Sequence, residues 1–363
     1  MREYLFTSES VTDGHPDKIC DQIADSILDA ALAQDKDSKM AVEATIKDEL
    51  ILVYGEANTK ASIDFAKIAK DVLRSIGYEE DYDVKVKVSQ QSPEINHAVT
   101  GHFEIAAGDQ GIMFGYATNE TENYMPLAID TAHKLAKRLC DLRWEDKRIR
   151  PDGKTQVTVL YRDNKPVSID TIVVSTQHVA SITQTELHEL IKTLVIDQVV
   201  DPKWITEDTK YFINPSGSFV VGGSFGDSGT TGRKIVVDTY GGMGRIGGGC
   251  FSSKDPSKVD RSAAYYSRFV AKNLVAAKLA DRCEIQLSYA IGQTHPISIM
   301  VETFGTHHVD QDEIYAWVKR NFDFSVGNII RELDLLKPIY RKTANFGHFG
   351  RNGFSWEAIK TTK

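Results

Sequence analysis

A β-hairpin followed by a helix recurs three times along the 363 residues, and that recurrence restricts the chain to a small set of architectures. Strand-like alternation covers Val42–Ile46 and Leu50–Tyr54 around Lys47, Asp48 and Glu49. A helix follows from Ser62 to Ile76, apolar at Ile63, Ala66, Ala69, Val72, Leu73 and Ile76 and stopped by Gly77. The second copy places strands at Thr155–Tyr161 and Val167–Ser175 and starts a helix at Thr183, whose spacing to Glu186 is that of a capping box. The third pairs Glu284–Ile291 with Ile297–Thr303 and adds a helix from Gln311 to Arg320. Three related α+β domains follow, each a mainly antiparallel sheet with helices on one face. The chain divides at 1–100, 101–221 and 222–363, although such units can be discontinuous in sequence. Sheets of this kind leave a second face, and where it is apolar a partner subunit can cover it.

Helices are also expected at Pro16–Ala33, near Pro126–Leu142 and at Arg261–Ala280, and a strand at Val84–Val88. Gln91 to Gly115 reads as a mobile loop returning to structure. On the first helix Ile19, Ile23 and Ile27 form the apolar face, and Asp17, Asp21, Asp25 and Asp29 recur on another. That stripe reads as solvated surface, except that Asp17 sits in the first turn beside His15 and Lys18. Helix N-termini favour anions, so Asp17 is either a dipole partner or a metal ligand, and spacing alone leaves both open.

Between Gly222 and Gly249 lie 11 of the 26 glycines. No helix or strand interior tolerates that density, because each glycine loses backbone entropy when ordered. Arg233, Lys234, Arg245, Lys254, Lys258 and Arg261 are threaded through the wider stretch Val221–Tyr265, with Asp227, Asp238, Asp255 and Asp260 among them. Backbone N–H groups freed by glycine, cationic side chains and magnesium-binding carboxylates together suit a polyphosphate. A flexible charged loop is the bland alternative, opposed by the buried-type strand pattern Lys234–Val237. Gly242 to Gly247 matches GxGxxG, but no helix can begin in the Gly-Ser-Lys-Asp-Pro run after it, so a dinucleotide fold is rejected. The Walker A spacing is also missing.

The net charge of −8 argues against a general nucleic-acid or membrane-surface binder, so any anion site is local. Cys20, Cys140, Cys250 and Cys283 are scattered without a CxxC pair, which suggests reduced thiols rather than zinc or disulfides. The N-terminus has no apolar signal core, and no stretch approaches the ~18 apolar residues of a membrane span. A cytoplasmic protein with no membrane or nucleic-acid partner is expected.

Gly14-His15-Pro16-Asp17-Lys18, the run Gly108 to Thr118, the Gly-rich stretch and the run Asp255 to Ser262 together resemble the S-adenosylmethionine synthetase family, nearly end to end. The resemblance implies a three-domain α+β fold with pseudo-threefold symmetry, assembled as a homodimer or dimer of dimers with active sites between subunits. It also implies ATP and L-methionine as substrates: the methionine sulfur attacks C5′ of ATP, expels the triphosphate, and the triphosphate is then cleaved to pyrophosphate and phosphate. Residue by residue, Asp17 and Asp260 resemble ligands of Mg²⁺, two ions per site, and Glu43 the ligand of K⁺. His15 would sit near the breaking bond, where a hydrogen bond or a positive charge favours departure. Lys154, Arg233, Lys234, Lys254 and Lys258 resemble the triphosphate clamp, and His15, Lys154, Arg233 and Lys254 its catalytic members. Asp152 resembles the ribose contact and Phe219 the ring stacked on adenine. Glu56, Gln91, Asp109, Asp227 and Ile299 resemble the methionine pocket.

Some positions depart from the usual family pattern. Ser218 stands where most members carry Arg, Ile246 replaces a common His, Cys250 an Ala and Ser253 a Gly, and the 94–106 loop is short. These bear on rate and substrate tolerance. Two other readings use the same residues: an ATP-dependent phosphotransferase or triphosphatase, and a catalytically silent nucleotide-binding subunit. The joint presence of His15, Asp17, Lys154, Lys254 and Asp260 argues against the silent subunit.

Overall fold

The structure is a computed structural model that describes residues 2–90 and 105–362. β1 (Glu3–Val11) and α1 (Pro16–Gln34) are followed by β2 (Lys39–Lys47), β3 (Leu50–Asn58), α2 (Phe65–Ile76) and β4 (Asp83–Ser89). β5 (Gly111–Thr118), α3 (Leu127–Glu145), β6 (Ile149–Arg162), β7 (Lys165–His178), α4 (Gln184–Ile191) and β8 (Lys210–Ile213) lead into the Gly-rich segment, which contributes the short β9 (Gly229–Thr230). α5 (Val259–Ala276), β10 (Arg282–Tyr289), β11 (Ser298–Glu302), α6 (Gln311–Asn321) and α7 (Val326–Glu332) follow.

Among the described residues the strands form three sheets, ordered β4-β3-β2-β9, β1-β6-β7-β8 and β11-β10-β5. Pairing is antiparallel except for β3 with β4 and β7 with β8. α1 and α2 pack on the first sheet, α3 on the second and α5 on the third, which is the α+β layering the repeat implies. Each sheet also takes a strand from a distant stretch. β1 pairs with β6 in the register Glu3↔Arg162 to Val11↔Lys154, β5 pairs with β10, and β9 with β2. The three units therefore interlock along the sequence.

Two strands escape the sequence pattern. In β1 the inward positions include Ser8 and Ser10, which are buried because their hydroxyls bond the Gly241 carbonyl at 2.9 Å and the His133 ring at 2.8 Å. Hydrogen-bonded serines satisfy burial without an apolar signature. β5 begins within the stretch read as a mobile loop, and most of it is buried on both faces, so it lacks alternation. A Cβ on Gly115 would lie 2.0 Å from the Ser267 backbone, so only glycine lets β5 approach α5 this closely.

α1 shows how the local rules build the site. His15 is its N-cap, Pro16 occupies the first turn, and Ile19, Ile23 and Ile27 are fully buried. They belong to one apolar cluster that continues through Val42 and Val53 to Phe251, Tyr265 and Val270, so α1 and α5 share a core. A separate core lies under α3, with Leu135, Leu139, Val157 and Val174.

The aspartate stripe of α1 is not solvated surface. Asp17, Asp21 and Asp25 are buried, and Asp29 is partly so. Burial of four acids on one face is tolerable only because each is matched. Asp17 accepts from Thr230 N–H and Lys234, Asp21 from Gly232 N–H and Lys18, Asp25 from Ser252, Ser253 N–H and Arg261, and Asp29 from Tyr340 N–H and Arg341 N–H. The expected strand at Lys234–Val237 is also corrected. Ile235–Asp238 is a single helical turn, buried at Val237 and exposed at Val236, because Asp238 is drawn inward to the buried ammonium of Lys18.

Candidate active site

The residues singled out from sequence fall into two groups on the chain. The first surrounds the start of α1. His15 Nδ1 accepts the Asp17 N–H at 3.2 Å. A backbone N–H can only donate, so Nδ1 holds a lone pair and the neutral ring carries its proton on Nε2. Burial, and then the positive charge of Lys234 and Lys154, hold the imidazole down at a pKa of about 3 despite the opposing Asp17. His15 on this chain is thus held toward the neutral form, which suits the hydrogen-bonding role of the two expected.

Asp17 accepts from Thr230 N–H at 3.0 Å and from Lys234 Nζ at 2.7 Å, with Arg233 Nε 3.7 Å away. Burial pushes its carboxyl up, but the Lys234 ammonium and the Thr230 N–H outweigh that and leave it below the ordinary range. The close approach needs Gly229, whose Cβ would lie 2.2 Å from the Pro16 carbonyl. Asp152 and Lys154 project from β6, Asp152 buried and Lys154 exposed. Asp152 Oδ2 accepts the Gly223 N–H at 2.8 Å. Burial raises its carboxyl to about 6, against the pull of that N–H and of Lys154, and Asp227 adds to the rise. Phe219 is held through its backbone: its N–H donates to His178 Nε2 at 3.0 Å, and Ser218 before it is exposed.

The second group lines the N-terminus of α5 and the nearby edge of the first sheet. Lys254 Nζ lies 2.6 Å from Asp260 Oδ2, with both side chains one-fifth exposed. Gly249 makes room for this carboxylate, since a Cβ there would fall 2.3 Å from its carbon. Lys258 pairs with buried Asp255, which also accepts the Met40 N–H at 2.8 Å and so ties the segment to β2. Lys254 bridges Ala41, and Ala41 faces Glu56 across β2 and β3. Glu43 lies two residues along the same face, beside Tyr54, whose hydroxyl is 3.4 Å from its carboxylate. Asp109 is exposed in the loop that Gly108 N–H anchors to the Ser257 carbonyl at 3.3 Å. Ile299 sits on β11 opposite Leu287, which in turn faces Met113 of β5. Gln91 and most of the 94–106 loop lie outside the described residues.

Among the described residues, no hydrogen bond or ion pair joins the first group, His15, Asp17, Asp152, Lys154, Phe219, Asp227, Arg233 and Lys234, to the second, Glu43, Glu56, Asp109, Lys254, Lys258, Asp260 and Ile299. Sequence reasoning missed the groups that hold these residues in place. Lys18, Asp21, Asp25, Asp238 and Arg261 form a buried polar scaffold behind them. The i,i+4 recurrence of aspartates on α1 was the available signal, and its meaning depended on partners more than two hundred residues away, such as Gly232 and Arg261.

A three-unit α+β chain carrying a glycine-rich cationic loop opposite paired carboxylates defines a protein built to handle a polyphosphate. Sequence models of the N-terminal, central and C-terminal domains of S-adenosylmethionine synthetase match residues 3–100, 104–219 and 221–358. The chain is 52% identical to an S-adenosylmethionine synthase of Sorangium cellulosum (strain So ce56) over 98% of its own length and 88% of the relative's. It is also 52% identical to one of Clostridium tetani (strain Massachusetts / E88), over 98% of this chain and 97% of that one. The chain belongs to the S-adenosylmethionine synthetase family, whose members need metal ions. No helix among the described residues is long and apolar enough to cross a membrane.

Proposed function

We infer that this chain is a methionine adenosyltransferase, making S-adenosylmethionine from ATP and L-methionine. A sulfur lone pair forms the new bond to C5′ while the C5′–O bond breaks and its electron pair leaves with the triphosphate. A thioether has no proton to lose, so no base is required, and the barrier lies in charge developing on the leaving group. The observation that carries this reading is the pairing of lysines with carboxylates at two places, Lys234 with Asp17 and Lys254 with Asp260.

His15 Nε2–H is free to donate toward the departing oxygen, a role that a neutral donor fills without electrostatic cost from Lys154 and Lys234. Lys154, Arg233, Lys234, Lys254 and Lys258 neutralise and orient the triphosphate through its departure and its cleavage to pyrophosphate and phosphate. Asp152 takes the ribose and Phe219 the adenine face, while Glu56, Gln91, Asp109, Asp227 and Ile299 form the methionine side. Asp17 and Asp260 would hold Mg²⁺, two ions per site, and Glu43 K⁺. The donor set suits magnesium: hard carboxylate oxygens, one in each group. When bound, Mg²⁺ neutralises charge on the phosphate oxygens.

The reading also makes the enzyme a cytoplasmic homodimer or dimer of dimers, in which the first group of one subunit faces the second group of another. Incubation of the purified protein with ATP, L-methionine, Mg²⁺ and K⁺ tests the reaction, with products identified by mass spectrometry and phosphate assay. S-adenosylmethionine with pyrophosphate and phosphate is expected. Phosphate release independent of methionine would assign a triphosphatase instead, and binding without turnover a silent subunit.

A further inference from the structure

Arg233 and Lys234 sit in a segment with little packing of its own. Arg233 and Val236 are exposed, Val237 is the buried apolar contact of the turn that follows, and Gly232 before them adopts φ +79°. A glycine in the left-handed region imposes no side-chain restraint on its neighbours, so polar bonds must set the aim of the two cations.

Asp17 holds the Lys234 side chain directly, and one buried triad fixes the segment at both ends. Asp21 Oδ1 accepts the Gly232 N–H at 2.8 Å, immediately before Arg233. Its other oxygen accepts from Lys18 Nζ at 2.9 Å, and the same ammonium bonds Asp238, the residue that closes the turn after Lys234. Asp21 and Lys18 are fully buried and Asp238 is nearly so. Charged bonds of this kind are strong in a low-dielectric interior, and moving one member strands the others. Asp21 is sealed from solvent and cannot reach a substrate, yet it lies one peptide from the residues that can.

We propose that Asp21 is a positioning residue for the adenosyl-transfer reaction, acting through the Gly232 N–H to fix the backbone that presents Arg233 and Lys234. The inference rests on the clamp reading of those cations given above. Asp29 provides the internal control: it lies two turns along the same stripe but bonds the N–H groups of Tyr340 and Arg341 and not the 232–238 backbone that carries Arg233 and Lys234.

The full-length protein would be compared as wild type, Asp21→Ala, Asp21→Asn, Asp21→Glu and Asp29→Asn. Steady-state kinetics would be read with hydrogen exchange of the 231–238 backbone. Misplacement of clamp groups by about 1 Å is expected to lower kcat about 100-fold in Asp21→Ala, with the KM for methionine little changed. Asp21→Asn retains an oxygen that can accept the Gly232 N–H but turns its NH2 toward Lys18 Nζ, so it is expected to recover part of that loss and to exceed Asp21→Ala in kcat. Asp21→Glu keeps the charge but displaces the acceptor by one methylene, so its kcat falls and its 231–238 exchange rises. Asp29→Asn should turn over like wild type. Wild-type kcat in folded Asp21→Ala or Asp21→Glu would overturn the proposal, as would an equal loss in Asp29→Asn. Should Asp21→Ala not fold, Asp21→Glu against Asp21→Asn decides. Hydrogen exchange reports the anchor independently of the reaction: if the wild type makes no S-adenosylmethionine, the functional reading fails, whereas unchanged 231–238 exchange in an otherwise active series sinks only the role of Asp21.

Discussion

Asp25 and Arg261 face each other as a two-pronged ion pair, Nη1 on Oδ1 and Nη2 on Oδ2, each at 2.8 Å. The pair joins the middle of α1 to the first turn of α5, and its side chains are 0% and 1% exposed. The same carboxylate accepts from Ser252 Oγ at 3.0 Å and from Ser253 N–H at 3.1 Å, just before Lys254. One aspartate therefore sets both the helix that carries Asp260 and the segment that carries its partner lysine.

Removing one side of this pair leaves the other charge buried and unmatched. Asp25→Ala is expected to lose about 3–5 kcal/mol of stability, measured by urea unfolding, because the stranded guanidinium keeps its desolvation cost without its partner. Arg261→Lys keeps the charge but not the planar fork, and its expected loss is smaller. Equal stability of wild type and Asp25→Ala would contradict the assignment of the pair as a structural joint.

Ser253 is held at φ +82°, a conformation that strains an L side chain, and its buried Oγ has no hydrogen-bond partner. Ser253→Gly should raise stability by about 1 kcal/mol, the relief of left-handed strain and of the orphan hydroxyl exceeding the extra chain entropy of glycine. The measurement is the urea midpoint at constant slope. A lower midpoint would mean that the hydroxyl makes a compensating contact.

The repeat was legible because each hairpin alternates and each helix carries an apolar face, as Val42–Ile46 and Val72–Ile76 illustrate. β1 was not, since Ser8 and Ser10 are buried by hydrogen bonding rather than by hydrophobicity. The cationic residues of the Gly-rich stretch stood out by composition. The scaffold behind them did not, because an aspartate facing Arg261 or Gly232 reads locally like one facing water. The placement of strands β1, β5 and β9 in sheets far along the chain is likewise a tertiary fact, carried by pairings such as Thr7↔Thr158 and Thr45↔Thr230.

Lys254 separates stability from catalysis. Its pair with Asp260 is one-fifth exposed, so Lys254→Ala should cost less folding stability than breaking the sealed Asp25–Arg261 pair. As a donor to the leaving triphosphate it is expected to cost about 100- to 1,000-fold in kcat. Circular dichroism melts and steady-state turnover on the same preparation check both halves. Unchanged turnover would remove Lys254 from the clamp.

Asp152 supplies a pH dependence. Burial raises its carboxyl to about 6, and only its ionised form has both oxygens free to accept, one from the Gly223 N–H and the other from a ribose hydroxyl. An acid with a raised pKa is neutral below that value and charged above it; the neutral acid keeps one accepting oxygen for the Gly223 N–H but loses the second acceptor for the ribose, so nucleotide binding should weaken as pH falls through about 6. The KM for ATP of the wild type is expected to rise about tenfold from pH 7 to pH 5, when about nine in ten Asp152 groups are protonated. Asp152→Asn keeps an acceptor oxygen but cannot ionise, so its KM should be high at pH 7 and nearly flat over the range. The ratio of variant to wild-type KM, which cancels titrations common to both proteins, should close as pH falls. A ratio that stays constant between pH 5 and pH 7 would show that Asp152 does not titrate in the nucleotide-binding step.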